Sequence, residues 1–165
     1  MTEIRIRERR PSDLDGCIEA LRAVQTADGY PMQWPKEPGR WLTPTSSLGA
    51  WVALADEGDA LGRVAGHVLV HSVPGKGTQL AAVGRLFVVP EARGNALGAR
   101  LLDRAREWAA DRGVDLVLEV VADEGSSAIA LYERTGWRRT DTCPADWTTP
   151  DGAPVTLHHY ALRDR

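Results

Sequence analysis

Few residues of this chain are both reactive and suggestively spaced. The first group is Arg93-Gly94-Asn95-Ala96-Leu97-Gly98-Ala99-Arg100, which follows the apolar run Leu86-Phe87-Val88-Val89 by only three residues. Where a strand turns through glycines into a helix, the first helical turn offers N–H groups without partners. It also presents the positive end of the helix dipole, which suits an anion. Gly94 and Gly98 keep side chains away from that place, and Arg93 and Arg100 add charge to it. The same glycines also suit a plain strand-to-helix turn. The stretch has neither the G-x-G-x-x-G spacing nor the Gly-Lys-Ser/Thr ending of common nucleotide loops. Residue types alone leave a phosphate cradle and a plain turn both open.

Glu119 is the second candidate, because it interrupts the apolar run Leu116 to Val121. A lone carboxylate there calls for a partner or a functional reason, and either reading stands. His67 and His71 lie on one face of a strand pattern, but at ~3.3 Å per residue their Cα atoms are about 13 Å apart. That is too far to share a metal, and no metal site is expected. His158 and His159 are adjacent, so they point to opposite faces of a strand. Cys17 and Cys143 form neither a C-x-x-C nor a disulfide framework. No Cys-His or Ser-His pair stands out as a nucleophile.

The elements that must hold these residues can be read from periodicity. Thr2 to Arg9 alternates as a strand, and Pro11-Ser12 opens a helix with Ser12 as N-cap. Leu14, Cys17, Ile18, Leu21 and Val24 mark its buried face, and Asp28-Gly29 ends it. The proline- and aromatic-rich stretch Tyr30 to Ser47 has no period beyond a short helix at Gly39 to Leu42. Trp51 to Ala55 and Arg63 to Val73 form a hairpin around Asp56 to Asp59, and Leu80 to Val89 is a longer strand after the turn at Pro74 to Gly77. Leu97 to Arg112 is the strongest helix, stopped by Gly113. Asp115 to Val121 reads as a strand covered on both faces. A helix follows from a Ser126 or Ser127 cap to Arg134, and Trp137 to Thr142 and Pro154 to Leu162 close the chain as strands around Thr149 to Gly152. The fold class is thus α/β of a mixed kind. It has a central, mostly antiparallel sheet of six to seven strands, a parallel β-α-β core and helices on both faces.

A length of 165 residues favours one domain over 1–165 with its own core. The net charge of −3 gives no reason to expect nucleic acid or an anionic membrane as partner. The first residues, MTEIRIRERRP, are too charged for a signal peptide, and no apolar run reaches the ~20 residues of a membrane span. A cytoplasmic protein is the expectation.

Three stretches together carry a resemblance. LFVVPEARGNALGARLL, then LEVV, then SSAIALYERTGW resemble the GNAT N-acetyltransferase superfamily over Val83 to Trp137. The first matches the strand and Arg/Gln-x-x-Gly-x-Gly/Ala loop that hold acetyl-CoA. The last matches A-x-x-L-Y-E-x-x-G-F, with Trp137 in place of Phe. The resemblance implies a transferase that moves an acetyl group from acetyl-CoA to an amine by direct attack, with homodimers common. The backbone of Leu86, Phe87 and Val88 would pair with the pantetheine arm, and the Val88 N–H would face the thioester oxygen. Arg93 and the N–H groups of Gly94, Asn95, Ala96, Leu97, Gly98 and Ala99 would hold the pyrophosphate. The arm would enter where the strands of Leu86-Val88 and Leu118-Val120 splay apart.

Tyr132 would stand beside the CoA sulfur as the acid, since a phenol of pKa ~10 is protonated at pH 7. Many relatives place an acid on the strand before the loop, where this chain has Ala82 and Gly84. Glu119 is then the first candidate base, as in members with the same Leu-Glu-Val setting, with a histidine such as His67 or His71, or a water, as the alternatives. Tyr30 and Trp34 fall in the region that shapes the acceptor pocket. Two departures stand out. Ala96 replaces a common Gly, and a helical φ is expected for it. Gly125 replaces a common Asn, with Ser126 or Ser127 as its substitute. The missing acids also leave open a second reading, a non-catalytic acyl-CoA-binding module of the same fold.

Overall fold

The computed structural model describes residues 3–57, 60–75, 77, 79–123 and 126–162. Seven strands form one sheet: β1 (Glu3–Glu8), β2 (Ser47–Glu57), β3 (Ala60–Ser72), β4 (Leu80–Val88), β5 (Asp115–Val121), β6 (Trp137–Thr148) and β7 (Pro154–Leu162). Their order is β1-β2-β3-β4-β5-β7-β6. The β4–β5 pair is parallel and every other pair antiparallel. The helices are α1 (Leu14–Asp28), α2 (Pro38–Leu42), α3 (Leu97–Arg112) and α4 (Ser127–Arg134). Among the described residues no helix is long and apolar enough to cross a membrane.

Helix α3 forms because its apolar residues return every three or four positions. Leu97, Leu101, Leu102, Ala105 and Ala109 are all buried. Each fully buried leucine contributes roughly 1.5–3 kcal/mol of transfer free energy. A Cβ on Gly66 of β3 would touch Leu101 of α3, whereas its neighbour His67 meets Arg9. Arg9 in turn bonds the last carbonyl of α2. Successive strand residues point to opposite faces, so α3 and α2 lie on opposite faces of the sheet. That is the expected layering.

Three local expectations fail. Ser12 is no cap: Pro11–Asp13 forms a short 3-10 turn, and α1 starts at Leu14. Asp13 stands at the N-cap position of α1 without a side-chain cap bond to it; its carboxylate accepts from the Arg10 N–H at 2.7 Å, closing the 3-10 turn, and pairs with Arg7 at 2.8 Å. Strand β6 runs on through Pro144 to Thr148, because it is an edge strand and a proline there breaks no second ladder. Strand β5 is not covered on both faces along its length. Leu116 and Leu118 are buried, but the Glu119 side chain is 59% exposed. Residues 58 and 59 of the β2–β3 turn, 76 of the turn before β4, and Gly125 lie outside the described residues.

The reason for the exposure of Glu119 is the sheet itself. The β4–β5 ladder runs from Leu80 opposite Asp115 to Val83 opposite Leu118 and ends there. Past that point β4 stays with β3 and β5 stays with β7. The strands diverge, and a gap opens between Gly84–Val88 and Glu119–Val121.

Candidate active site

The glycine-containing loop sits at the mouth of this gap. Pro90–Ala92 is a 3-10 turn, and the chain then passes through Gly94 at φ 92° into α3. Only glycine adopts that φ without strain. The first N–H after the turn to find a backbone acceptor is that of Arg100, which donates to the Ala96 carbonyl at 3.0 Å. Among the described residues, no protein group accepts from the N–H groups of Gly94 through Ala99. Six adjacent unpartnered donors at the positive end of a sixteen-residue helix are chemically suited to an anion. Gly98 has a further reason to lack a side chain: a Cβ there would come within 2.9 Å of Leu131 Cδ2 on α4.

Arg93 is spoken for. Its guanidinium pairs with the Asp28 carboxylate at the end of α1 and donates to the Val88 carbonyl at 3.0 and 3.2 Å. It clamps the loop against α1 and β4.

Ala96 does not have the helical φ expected of it. It is the N-cap of α3 in the left-handed region, at φ 54° and ψ 29°. The turn geometry requires that conformation, which explains a glycine as the common choice, and an L-residue is strained there. The side chain is exposed, so it blocks nothing. Replacing Ala96 with Gly should therefore stabilise the fold by roughly 1 kcal/mol and leave acetyl-CoA affinity unchanged. Denaturant melts and a binding titration on the same preparation check both halves.

Val88 shows what the gap offers. The Val89 N–H donates to the Ala65 carbonyl of β3 at 2.9 Å. Backbone groups alternate along a strand, so the Val88 N–H turns the other way, toward the gap where no strand follows. The Val88 carbonyl on that side is the one taken by Arg93. Phe87 instead pairs with His67 and stacks on it at 5.2 Å, with its ring in the core. Leu86 is half-buried beside the bulge, where Arg85 and Leu86 together oppose Val68.

Tyr132 is 7% exposed and packs between Trp137 and Tyr160, with ring centroids 6.3 and 6.2 Å away. Burial pushes its hydroxyl above the ordinary phenol range. That hydroxyl makes no hydrogen bond to a described residue, yet it is not sealed from solvent; among the described residues the one buried side-chain polar atom without a partner is Trp137 Nε1. The indole at Trp137 thus brings in an orphan donor that a phenyl ring lacks. Ser126 spends its hydroxyl as cap of α4, accepting from the Ile129 N–H at 3.4 Å.

Glu119 is the first residue beyond the last β4–β5 pair. Its carboxylate lies 3.7 Å from His159 Nδ1, its cross-strand neighbour on β7. His158 is engaged by Thr142 at 2.8 Å. Among the described residues, no three His, Cys, Asp or Glu side chains are grouped to hold a metal ion.

His67 is fully buried with both ring nitrogens engaged. Arg9 Nη1 always donates, so His67 Nε2 accepts it at 2.9 Å; Nδ1–H then donates to the Arg85 carbonyl at 2.8 Å. Burial pushes the imidazole down to about 4, and it is neutral at pH 7. A ring so committed holds structure and cannot accept the substrate's proton.

The residue it holds, Arg85, was passed over in the sequence, as was Trp41. Arg85 sits in the bulge at φ 52°. Its guanidinium lies 3.9 Å over the Trp41 ring, and Nε donates to the Trp41 carbonyl at 3.1 Å. Tyr30 packs against Trp41 with the rings tilted by 60° and their centroids 6.1 Å apart. Tyr30 is 36% exposed as a residue, and burial pushes its hydroxyl up to about 12. Trp34 has other neighbours. Arg22 stacks on it at 4.6 Å. Together with Met32, Gln33 and the β6–β7 turn at Thr148 to Pro150 it lines a cavity of about 520 Å³.

The comparisons with known proteins fit this geometry. An uncharacterized N-acetyltransferase of Methanocaldococcus jannaschii is 29% identical over 140 residues, which cover 82% of this chain and 61% of that protein. A mycothiol acetyltransferase of Salinispora arenicola is 33% identical over 150 residues, 82% of this chain and 45% of that protein. The chain thus spans about half to three-fifths of the length of these relatives. Among solved structures, NAA60 of Arabidopsis thaliana in complex with a bisubstrate analogue superposes with a TM-score of 0.76 at 18% identity, covering 99% of this chain and 100% of that one. At that identity the likeness speaks for the fold. The model of the Acetyltransferase (GNAT) family matches residues 18–137, from α1 through the cradle and the Tyr132 helix to the first residue of β6. With nearly three-quarters of its length under one family model, the chain belongs to the Acetyltransferase (GNAT) family.

Proposed function

We propose that the chain is an acetyl-CoA-dependent N-acetyltransferase, a single catalytic domain over residues 1–165 that moves an acetyl group to a primary amine by direct attack in a ternary complex. The observation that carries this reading is a set of open donors. The six N–H groups at the start of α3 and the Val88 N–H, turned toward the β4–β5 gap, have no described acceptor, and the Tyr132 hydroxyl bonds no described residue. A diphosphate-bearing thioester fits that donor set: anion at the cradle, thioester oxygen at Val88, sulfur at Tyr132. Acetyl-CoA supplies the activated acetyl group.

The chain's own residues do the rest. The loop N–H groups bind the diphosphate. The Val88 N–H donates to the thioester oxygen as negative charge develops there. The Tyr132 hydroxyl donates toward the departing sulfur. Glu119 Oε1 takes the proton of the amine, directly or through one water, and His159 orients it. Glu119→Gln should lower kcat/KM about 10²-fold at neutral pH, with acetyl-CoA affinity retained; a loss under threefold removes Glu119 as base. The amine belongs to a small molecule, an amino acid or a protein, and enters between Tyr30 and Trp34. The charge pattern and ordinary thiols support a cytoplasmic enzyme, and the uncovered edge strand β6 suits a homodimer.

The test is thiol release from acetyl-CoA over a panel of primary amines. Amine-dependent release supports the reading. Tight CoA binding with no amine accelerating release would instead identify an acyl-CoA-binding module.

A further inference from the structure

Building on the transferase reading, we propose that the acceptor carries an anionic oxyacid group beside its amine, and that Arg85 binds it. The inference starts from a cation without a counter-ion. Arg85 is half-buried, and burial lowers its pKa. Of its five N–H donors, Nε is given to the Trp41 carbonyl at 3.1 Å, and one face of the guanidinium is covered by the Trp41 ring at 3.9 Å. Among the described residues, neither Nη1 nor Nη2 has an acceptor, and no carboxylate pairs with Arg85. Acids are not scarce, since the chain has 23 Asp and Glu against 20 Lys and Arg. A desolvated charge left unpaired is unfavourable unless something else completes it.

The surroundings repeat the pattern. Arg9, on the other side of His67, is also desolvated and, among the described residues, forms no ion pair with a carboxylate within 4 Å, though Asp13 acts on it electrostatically; it bonds the Leu42 carbonyl at 2.8 Å and Thr43 Oγ1 at 2.7 Å. The two guanidiniums bracket the C-terminal end of α2, and capping that helix is one role for both. Capping uses only Nε of Arg85, and it leaves the planar fork of Nη1 and Nη2 open. Such a fork matches a carboxylate or phosphonate bidentately.

Position adds the last argument. Arg85 lies on β4, three residues before Val88, and on the edge of the same gap. His67 fixes its backbone carbonyl at 2.8 Å, and Trp41 fixes its guanidinium plane. Tyr30, the nearest group of opposite potential charge, is a phenol kept neutral by burial. An acceptor anchored by its oxyacid at this fork would present its amine along the strand toward the thioester.

The experiment compares kcat/KM for matched acceptors: free L-amino acids against their C-terminal amides, and aminoalkylphosphonates against their uncharged esters. Wild type is expected to favour the charged member about 10- to 100-fold, mostly through KM, as befits charge-assisted hydrogen bonds. Arg85→Gln should erase that preference, lowering kcat/KM for the charged members far more than for the amides. Arg85→Lys should keep part of it. The carboxylate and phosphonate arms show which oxyacid the fork prefers. Equal use of charged and uncharged acceptors by wild type overturns the proposal, with or without a folded variant. So does an Arg85→Gln loss that is the same for both members, which marks a purely structural arginine. Were no amine of either kind to release thiol, the transferase reading itself would fall, which is a different outcome.

Discussion

Tyr132→Phe should lower kcat about 10²- to 10³-fold, leave acetyl-CoA affinity within about twofold, and shift the melting temperature little. All three parts follow from the same observation. The ring is packed against Trp137 and Tyr160, and phenylalanine keeps that packing. The hydroxyl bonds no described residue, so its removal leaves no orphan behind. What is lost, in the proposed mechanism, is the donor to the departing sulfur. Burial lifts the phenol further above its ordinary ~10, while an ordinary thiol titrates near ~8.5. In the proposed mechanism Tyr132 therefore serves first as a hydrogen-bond donor to the developing thiolate. A tyrosine with only a structural role would give the reverse pattern: a lowered melting temperature with kcat unchanged. Steady-state kinetics and a thermal melt separate the two.

Val88→Pro should cost 10²- to 10³-fold in kcat, approximately the effect of removing one preorganised donor from a developing oxyanion. Proline removes the N–H and nothing else from the ladder, because that N–H has no partner on β3; the bond to β3 is made by Val89. Val88→Ala is the control, since it trims the side chain and keeps the donor. It should stay within about fivefold of wild type. Equal losses in the two variants would mean that packing, and not the N–H, matters at this position.

The β-α-β core was legible because its signals are local and mutually consistent. Leu97 to Arg112 and Asp115 to Val121 are found with the bounds that periodicity and the stop at Gly113 imply. What escaped was set by distant contacts or by single torsions. Ala96 was expected in a helical conformation because alanine prefers it, but the step from the Pro90–Ala92 turn into α3 imposes φ 54° whatever residue stands there. The glycine common at that position was the available sign. Glu119 was expected inside an apolar strand, yet it lies just where β5 leaves β4, a separation that no property of β5 alone encodes. Arg85 escaped for a related reason. Its partner Trp41 is 44 residues away in a stretch without periodicity. The sign there was the one already used for Glu119, a lone charge in an apolar strand, Leu80 to Val89.

One single-turnover measurement tests the account most directly. The protein is mixed with acetyl-CoA, with and without a saturating panel of amines, and free thiol, acetylated amine and intact protein mass are followed together. The account expects thiol only when amine is present, one acetylated amine for each thiol, and a protein mass that never changes. Thiol released without amine and matched by an acetylated protein would contradict direct transfer along the β4–β5 gap.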